Sequence, residues 1–343
     1  MSDPFELGLN TFGDVTAGPD GQLLPQAQVL RDILEEGVLA DAVGVDSFGV
    51  GEHHRDDFAV SAPEVLLAAI GARTGRIRLG SAVTVLSSDD PVRVFQRFST
   101  LHALLRGRVE VILGRGAFKE SFPLFGYPLS QYGALFDEKL DLFAALIRGS
   151  TVTWRGQLRP ALTNQHVYPA LESGVLRTWV AVGATPESVL RAARYDLPLM
   201  LGIVGGDPQR FQPFVEIYRQ AFEKLKRPMQ ALGVHSPGYV AETDARAREE
   251  YWVAYKPHRD RIGADRGWPP IERPQFDLEV ERGSLYVGSP ETVARRIVTT
   301  AKALGVGRFD LKYSVGALSH EQLLHSIELY GRRVIPRVRE QLE

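Results

Sequence analysis

The sequence contains no cysteine among its 343 residues. That absence excludes disulfide bonds, thiolate nucleophiles and zinc sites built on thiolates. The chain also lacks an excess of one charge, because its formal net charge is −2, so its composition does not indicate binding to nucleic acid or to an anionic membrane. No apolar run approaches the roughly 20 residues of a membrane span, and the first residues do not resemble a signal peptide. We therefore expect a cytoplasmic protein.

Apolar residues are plentiful, at 44% of the chain, and short apolar runs alternate with segments of helical period. These runs predict eight strands, at residues 5–12, 46–51, 77–85, 108–114, 177–183, 198–204, 231–239 and 308–314. The runs are almost continuously apolar, as in parallel strands covered on both faces. Eight strands alternating with helices predict a single (β/α)₈ TIM barrel domain over residues 1–343, with an open doubly wound sheet as the alternative.

Two segments do not fit the simple repeat, and we interpret both as insertions. Residues 150–175 are predicted to form a small hairpin after the fourth helix. Residues 256–284, rich in proline, arginine and aspartate, are predicted to form a long loop near the seventh strand. Long loops in compact domains are often lids or binding loops, although a surface excursion without function is the alternative.

Active sites of such barrels lie at the carboxyl ends of the strands, which identifies candidate residues by position. Asn10 ends the first strand, GEHHRDD (51–57) follows the second, Ala82 and Val83 end the third, and Gly202 ends the sixth. Arg115 stands between two glycines after the fourth strand. Its planar guanidinium could bind a phosphate, but a solvated or salt-bridged arginine at a turn fits the pattern equally well.

The segment VGATPESVLRAAR (182–194) is a candidate anion site. Gly183 permits close approach of the backbone to a ligand, Thr185 is predicted to cap the helix before a proline at the first helical position, and Ser188 offers a hydroxyl in the first turn. Free N–H groups at a helix start favour phosphate. Because VGSPETVARR (287–296) begins almost identically, the pattern alone leaves both segments open, and each is equally consistent with a capped helix that binds nothing.

The adjacent His53 and His54 could either bind a metal ion or transfer protons. A metal site would require three or four convergent ligands, and the other six histidines are scattered along the chain, so we expect no metal. A histidine that transfers protons near neutral pH is the better interpretation. The alternative is a histidine that is only hydrogen-bonded beneath the loop.

Three motifs, taken together, resemble the bacterial luciferase-like flavin-dependent monooxygenase family. They are GVGEHHRDDFAVSAPEVLLAAIGARTGRIRLGSAVTVLSSDDPVRV, GRVEVILGRGAFKESFPLFGY and WVAVGATPESVLRAARYDLPLML. The resemblance covers about the whole chain and is strongest over residues 44–145. The order of E-H-H and G-R-G is more specific than either motif alone. The resemblance implies a single (β/α)₈ barrel that binds reduced FMN at the carboxyl rim.

The resemblance also assigns roles to individual positions. It implies that Arg115 and the backbone of Ala117 hold the FMN phosphate, completed by Ala184, Thr185 and Ser188, which favours 182–194 over 287–296. Where luciferase has a Glu-Ser pair, this chain has Ala184-Thr185. A cis peptide is implied at Ala82–Val83, a role in flavin–oxygen chemistry for His53, and an acidic group near the flavin for Glu120. Asn10, Gly183 and Gly202 are expected at the same rim.

The activity implied by the resemblance is an FMN-dependent monooxygenation of a small organic substrate by O₂. Reduced FMN would come from a flavin reductase or from NAD(P)H, the protein would be a homodimer through the helices after strands 2 and 3, and the 256–284 loop would cover the site. Three rivals remain: a deazaflavin-dependent oxidoreductase of the same superfamily, a flavin-binding protein without catalysis, and a metal-dependent barrel hydrolase.

Overall fold

The computed structural model describes residues 4–18, 20–149, 151–172, 174–183 and 185–342. Its strands are β1 (Glu6–Thr11), β2 (Ser47–Val50), β3 (Arg78–Val85), β4 (Val109–Gly114), β5 (Thr151–Trp154), β6 (Leu162–His166), β7 (Arg177–Val182), β8 (Leu199–Gly202), β9 (Leu232–Val240), β10 (Tyr286–Gly288) and β11 (Arg308–Lys312). Its α-helices are α1 (Gln26–Ala42), α2 (Pro63–Gly71), α3 (Pro91–Leu104), α4 (Ser121–Leu124), α5 (Tyr132–Leu146), α6 (Pro186–Arg194), α7 (Gln212–Leu225), α8 (Asp244–Asp265), α9 (Arg273–Glu281), α10 (Pro290–Leu304), α11 (His320–Leu329) and α12 (Ile335–Leu342). A π-helical stretch, Tyr330–Val334, joins α11 to α12.

Eight of the strands close into a parallel barrel, in the order β1, β2, β3, β4, β7, β8, β9, β11 and back to β1. These eight are the strands predicted from the sequence, with ends that differ by at most two residues. The predicted (β/α)₈ barrel is therefore confirmed. The short β10, which the sequence did not predict, pairs with β9 outside this ring.

Burial on both faces explains why the strands read as continuous apolar runs. Every position of β2, β4 and β11 is buried, because the barrel interior covers one face and the helices cover the other. The helices contribute apolar faces to the same layer, such as Val94, Phe98 and Leu101 of α3, each almost fully buried. Each such side chain stabilises the fold by roughly 1.5–3 kcal/mol relative to exposure.

The predicted hairpin at 150–175 is confirmed, because β5 and β6 pair antiparallel, with Thr151 opposite His166. Ser150 and Ser173, at its borders, lie outside the described residues.

The prediction of a long loop at 256–284 is wrong, because most of this segment is helical. It comprises the second half of α8, the connection 266–272 and all of α9. Its prolines do not break these helices: Pro257 lies inside α8, and Pro274 occupies the first turn of α9, where its missing N–H costs nothing. The charged residues pair along the helix, as Lys256 does with Asp260 at 2.8 Å, so the polar composition reflects a solvated helix face.

A buried ionic network closes the amino end of the barrel. Arg308, the first residue of β11, donates to Glu110 of β4 at 2.6 Å and to Asp310 at 2.8 Å. All three side chains are at most 3% exposed. Burial opposes the charge on Glu110, but the Arg308 guanidinium outweighs it and holds the pKa of Glu110 below its ordinary value. This end of the barrel is therefore a structural floor, whereas the opposite rim carries the loops.

We predict that Arg308→Met will lower the free energy of unfolding by about 3–5 kcal/mol, because it leaves two buried carboxylates without their cation. Arg219→Met is the control, since Arg219 on α7 is 53% exposed and pairs only with surface glutamates; it is expected to cost less than about 1 kcal/mol. Urea unfolding measures both. Equal losses in the two variants would contradict a structural floor.

Candidate functional site

His53 stands at the carboxyl end of β2, inside a group of aromatic rings. Its ring centroid lies 4.2 Å from that of Phe58, 4.9 Å from Phe12 and 5.5 Å from Phe118. Its backbone N–H donates to the carbonyl of Val60 at 2.9 Å, which fixes the loop, while Nδ1 is buried without a hydrogen-bond partner. His53 is thus held by packing, and its Nδ1 is left to a bound molecule.

The environment keeps His53 neutral. Burial lowers the pKa of His53 to about 3, and the opposite pull of the Asp14 carboxylate does not offset it. A neutral imidazole can accept a hydrogen bond or a proton at one nitrogen while donating at the other. It can therefore serve in proton transfer, as the sequence suggested, in its uncharged form.

The neighbouring residues of the E-H-H motif are structural. Glu52 accepts from the backbone N–H of Val85, at the end of β3, at 2.8 Å, and lies 2.9 Å from His54 Nε2. It thereby ties the end of β2 to the end of β3. The His54 ring packs edge-on against Phe125. Of the two histidines, His53 faces the aromatic group and His54 supports the loop.

The loop after β4 presents Arg115 beside a glycine that the geometry requires. Gly116 has φ +84°, and a Cβ there would lie 2.8 Å from Val85, so only glycine fits this turn. The Arg115 guanidinium lies 5.2 Å from the ring centroid of Tyr132, and Tyr132 donates to the Gly116 carbonyl at 2.7 Å. Arg115 makes no ion pair with any described residue, which leaves its charge available to an anion.

A small cavity separates the loops after β2 and β4. Predicted site residues His53, Ala117 and Glu120 all line it. Glu120 does not point freely into this space: Oε1 accepts from Arg55 at 2.8 Å, while Oε2 is buried without a partner. The backbone carbonyl of Ala117 accepts from Arg266 at 3.3 Å. The structure thus brings these three residues together, next to Arg115.

The two similar helix starts differ in what occupies them. At α6, Thr185 takes the N-cap position, but its side chain makes no capping bond; its hydroxyl pairs with that of Ser188 at 2.6 Å. The predicted capping by Thr185 is therefore wrong in detail. No atom lies within 4 Å of the position that a Cβ would take at Gly183, so the space beside this turn is open. Ala184 lies outside the described residues.

At α10 the chain itself fills the helix start. Asp244 accepts from the Ser289 backbone N–H at 2.7 Å and from the Thr292 hydroxyl at 2.9 Å, and Ser289 caps the Thr292 N–H. Burial alone would raise the pKa of Asp244, but these hydrogen bonds lower it below its ordinary value. A carboxylate of the protein thus stands where an anion would bind, which leaves the α6 start as the available one.

The remaining predicted residues lie deeper in the barrel. The peptide between Ala82 and Val83 is cis, as the family resemblance implied. Gly202 ends β8 and faces His235 across the β8–β9 pair. Asn10 is 1% exposed, and its amide nitrogen lies 2.8 Å from His235 Nδ1. Asn10 is therefore a residue of the barrel interior, below the loops that carry Arg115 and Glu120.

Helix α8 covers this part of the rim with its carboxyl end. Asp265 accepts from Arg55 at 2.9 Å, and Arg261 contacts Asp56 across the same boundary. Arg266 lies over the ring of Phe118 at 5.6 Å. The segment predicted to cover the site contacts the loop after β2, but through a helix end held by ionic contacts; its role as a cover stays a prediction.

Several residues of the site were missed by reading the sequence. Below the aromatic group, Lys312 donates to both Asp14 oxygens at 2.9 Å, with His258 Nε2 of α8 3.8 Å from Asp14. Arg55 lies within the GEHHRDD stretch and could have been noted there. His235 and His258, by contrast, lie far along the chain from their partners and carry no local signal. Within the described residues, no group of three or more histidines and carboxylates is arranged to hold a metal ion, and no helix there could span a membrane.

Comparison with known proteins gives consistent matches. A sequence model of luciferase-like monooxygenases matches residues 6–308. N-acetyl-S-alkylcysteine monooxygenase of Bacillus subtilis is 25% identical over 347 residues, covering 92% of this chain and 98% of the relative. The oxygenating constituent of 3,6-diketocamphane monooxygenase of Pseudomonas putida, a type II Baeyer–Villiger enzyme solved with FMN, has a TM-score of 0.80 and 18% identity, over 98% of this chain and 99% of that one.

A second solved structure has a different cofactor. An F420-dependent secondary alcohol dehydrogenase, solved with an F420–acetone adduct, has a TM-score of 0.75 and 16% identity, over 98% of this chain and 99% of that chain. At these identities the solved structures establish a shared fold only.

We predict that the buried neutral His53 makes the fold sensitive to acid. Because the folded-state pKa lies below the unfolded value of about 6.5, stability is present above pH 6.5 and is lost as pH falls towards the folded pKa of about 3. His53→Gln removes this contribution, so its free energy of unfolding should fall less steeply than that of the wild type between pH 7 and 5. Urea unfolding across this range measures the slopes, and identical slopes would argue against a neutral His53.

Proposed function

The chain belongs to the luciferase-like monooxygenase family, and we propose that it is an FMN-dependent monooxygenase that uses reduced FMN and O₂ to oxidise a small organic substrate. One observation carries the choice of cofactor: Arg115, which forms no ion pair with a described residue, and the α6 start follow the adjacent parallel strands β4 and β7. The loop that carries Arg115 also borders the cavity that His53 lines. An anionic group and a flat ring system are the features that such a site would accept.

In this proposal, residues that follow these two strands bind the phosphate. Arg115 supplies a planar, permanently charged donor, and the first turn of α6 supplies backbone N–H groups and the positive end of the helix dipole. Gly183 leaves room for close approach, and Thr185 and Ser188 supply hydroxyls. Ala117 and Ala184 contribute backbone in this proposal. The α10 start is excluded from it because Asp244 already occupies that position.

Reduced FMN would supply the electrons that activate O₂. The protein's part is orientation, proton handling and the exclusion of water. His53, neutral and with Nδ1 unpartnered, is proposed to accept or return a proton next to the cofactor. Glu120 is proposed to act near it through the buried Oε2, while Arg55 holds Oε1. The rings of Phe12, Phe58 and Phe118 would keep that side of the cavity dry.

A deazaflavin-dependent hydride transfer is the second candidate, because an F420-dependent enzyme shares the fold. Oxygen consumption with reduced FMN distinguishes the two, since hydride transfer needs no O₂. The supply of reduced FMN by a flavin reductase or by NAD(P)H, a cytoplasmic location and a homodimer through α2 and α3 belong to the same proposal. For the dimer, Val65 on α2 and Leu104 on α3 are exposed apolar side chains.

We predict that the protein binds FMN and that Arg115→Ala weakens this binding at least tenfold, because a charge-assisted phosphate contact contributes roughly 1.5–3 kcal/mol. Ser188→Ala should weaken it less, by about two- to fivefold. Titration followed by flavin fluorescence measures the dissociation constants.

Ser289→Ala is the matched control, since it alters the corresponding helix start at α10, and we expect wild-type FMN affinity. A wild-type protein that does not bind FMN would refute the proposed cofactor, and F420 would then be tested. Equal weakening by Ser289→Ala and Ser188→Ala would refute the assignment of the phosphate site to α6.

We predict that the end of α8 is a cover whose closure depends on Arg55. Arg55 is 9% exposed and links Asp57, Glu120 and Asp265. Arg55→Gln should therefore accelerate chymotrypsin cleavage at Trp268, in the connection 266–272, several-fold. FMN should slow that cleavage in the wild type.

Arg261→Gln is the control, because Arg261 and its partner Asp56 are 49% and 81% exposed and such surface pairs contribute little. It should be cleaved at nearly the wild-type rate. Cleavage that is equal with and without FMN, and equal in all three proteins, would show that this segment is not a cover.

A further inference from the structure

His235 lies on the wall of the barrel mouth opposite the proposed phosphate site. Its ring is stacked almost parallel on Phe12, with centroids 5.6 Å apart and an angle of 10° between the planes. Phe12 in turn contacts His53. In the closed ring of eight strands, β11 and β1 stand opposite β4 and β7, and His235 and His53 flank that opposite side from β9 and β2. The two histidines therefore share one wall of the mouth.

The contacts of Asn10 determine which nitrogen of His235 carries the proton. The Asn10 amide nitrogen lies 2.8 Å from His235 Nδ1 and 3.4 Å from Asp310 Oδ2. An amide nitrogen has two hydrogens and accepts nothing, so one hydrogen serves each partner. His235 Nδ1 must then be the acceptor, without a proton of its own.

The orientation of the Asn10 amide is fixed from the other side. Arg308 donates to both oxygens of Asp310 at 2.8 Å, so both oxygens act as acceptors and the side chain is held in place. These contacts oppose the rise in the pKa of Asp310 that burial causes. A reversed Asn10 amide would direct its oxygen at the carboxylate, and repulsion between the two oxygens opposes that orientation. The chain of contacts from Arg308 through Asp310 to Asn10 therefore sets the tautomer of His235.

The ring of His235 is neutral as well as oriented. Burial, together with the nearby Lys312 and Arg308 cations, lowers the pKa of His235 to about 4. One proton remains near neutral pH, and with Nδ1 occupied it resides on Nε2. Among the described residues, Nε2 has no hydrogen-bond partner. An N–H donor of this kind favours a bound molecule that supplies an acceptor.

We propose that His235 is a fixed hydrogen-bond donor of the barrel mouth, presenting Nε2–H to an acceptor atom of the bound flavin or of the organic substrate, and that Asn10 is the positioning residue that maintains this tautomer. Only the identity of the bound molecule rests on the proposed function. The role of Asn10 follows from geometry, so Asn10 acts on the ligand through His235.

The tautomer is tested without any ligand, by long-range ¹H–¹⁵N spectra of protein labelled at its eight histidines. The signal of His235 is assigned by its loss in His235→Gln. At pH 7.5 we expect a protonated Nε2 and an unprotonated Nδ1. A ring protonated at Nδ1, or at both nitrogens, overturns the proposal.

Asn10→Leu should turn the single tautomer of His235 into a mixture of the two tautomers. Asn10→Ser is the second variant if leucine prevents folding. An unchanged tautomer in a folded variant refutes the role of Asn10.

Titration with FMN then shows whether the acceptor atom belongs to the flavin or to the substrate. If the acceptor belongs to the flavin, FMN shifts the Nε2 signal, His235→Phe weakens FMN binding about tenfold, and His235→Gln, which keeps an N–H donor, restores most of the affinity. If it belongs to the substrate, FMN binds all three proteins equally and leaves the Nε2 signal in place. Conversion of His235 to the other tautomer when FMN binds would overturn the proposal. Failure of the wild type to bind FMN would refute the proposed function but leave the tautomer result standing.

Discussion

Closure of the parallel barrel is the constraint on which the rest of the structure depends. β11 pairs with β1 on one side and with β9 on the other, so the last strand joins the first and all eight carboxyl ends fall on one ring. The ionic floor formed by Arg308, Glu110 and Asp310 closes the amino end of that ring. Loops separated by hundreds of residues therefore meet only at the opposite rim. For this reason Arg55, after β2, contacts both Glu120, after β4, and Asp265, at the end of α8.

The sequence predicted those features that depend on local residue patterns and on barrel topology. Continuous apolar runs predicted all eight barrel strands, and topology then placed His53, Arg115 and Gly183 at strand ends. The helices at 256–284 were missed because the proline, arginine and aspartate content of the segment indicated a loop. In the structure Pro257 lies inside α8 without ending it, and Pro274 occupies the first turn of α9. The pairing of Asn10 with His235 spans 225 residues, and no pattern within either segment indicates it.

The two similar helix starts show where local sequence stops being informative. Both place a hydroxyl residue before a proline, and both begin an amphipathic helix. The difference lies in a third element: Asp244, at the start of α8, reaches the α10 start and satisfies it. At the α6 start the described hydrogen bonds of the two hydroxyls stay within the turn, where Ser188 also donates to the Thr185 carbonyl. A motif thus defines the capacity to bind an anion, while tertiary packing decides whether the protein uses that capacity internally or leaves it for a ligand.

The distribution of charge around the barrel mouth favours a ligand with one anionic end and one neutral end. On one side, Arg115 forms no ion pair with a described residue, and the α6 start follows the neighbouring strand β7. On the other, the Lys312 charge is neutralised by Asp14 at 2.9 Å, and burial keeps His53 and His235 uncharged. That wall therefore offers aromatic faces and neutral hydrogen-bonding nitrogens but no net charge. A phosphate at one end and a flat, hydrogen-bonding ring at the other would satisfy both walls at once, which is the physical argument for the proposed flavin mononucleotide over an anion or an apolar molecule alone.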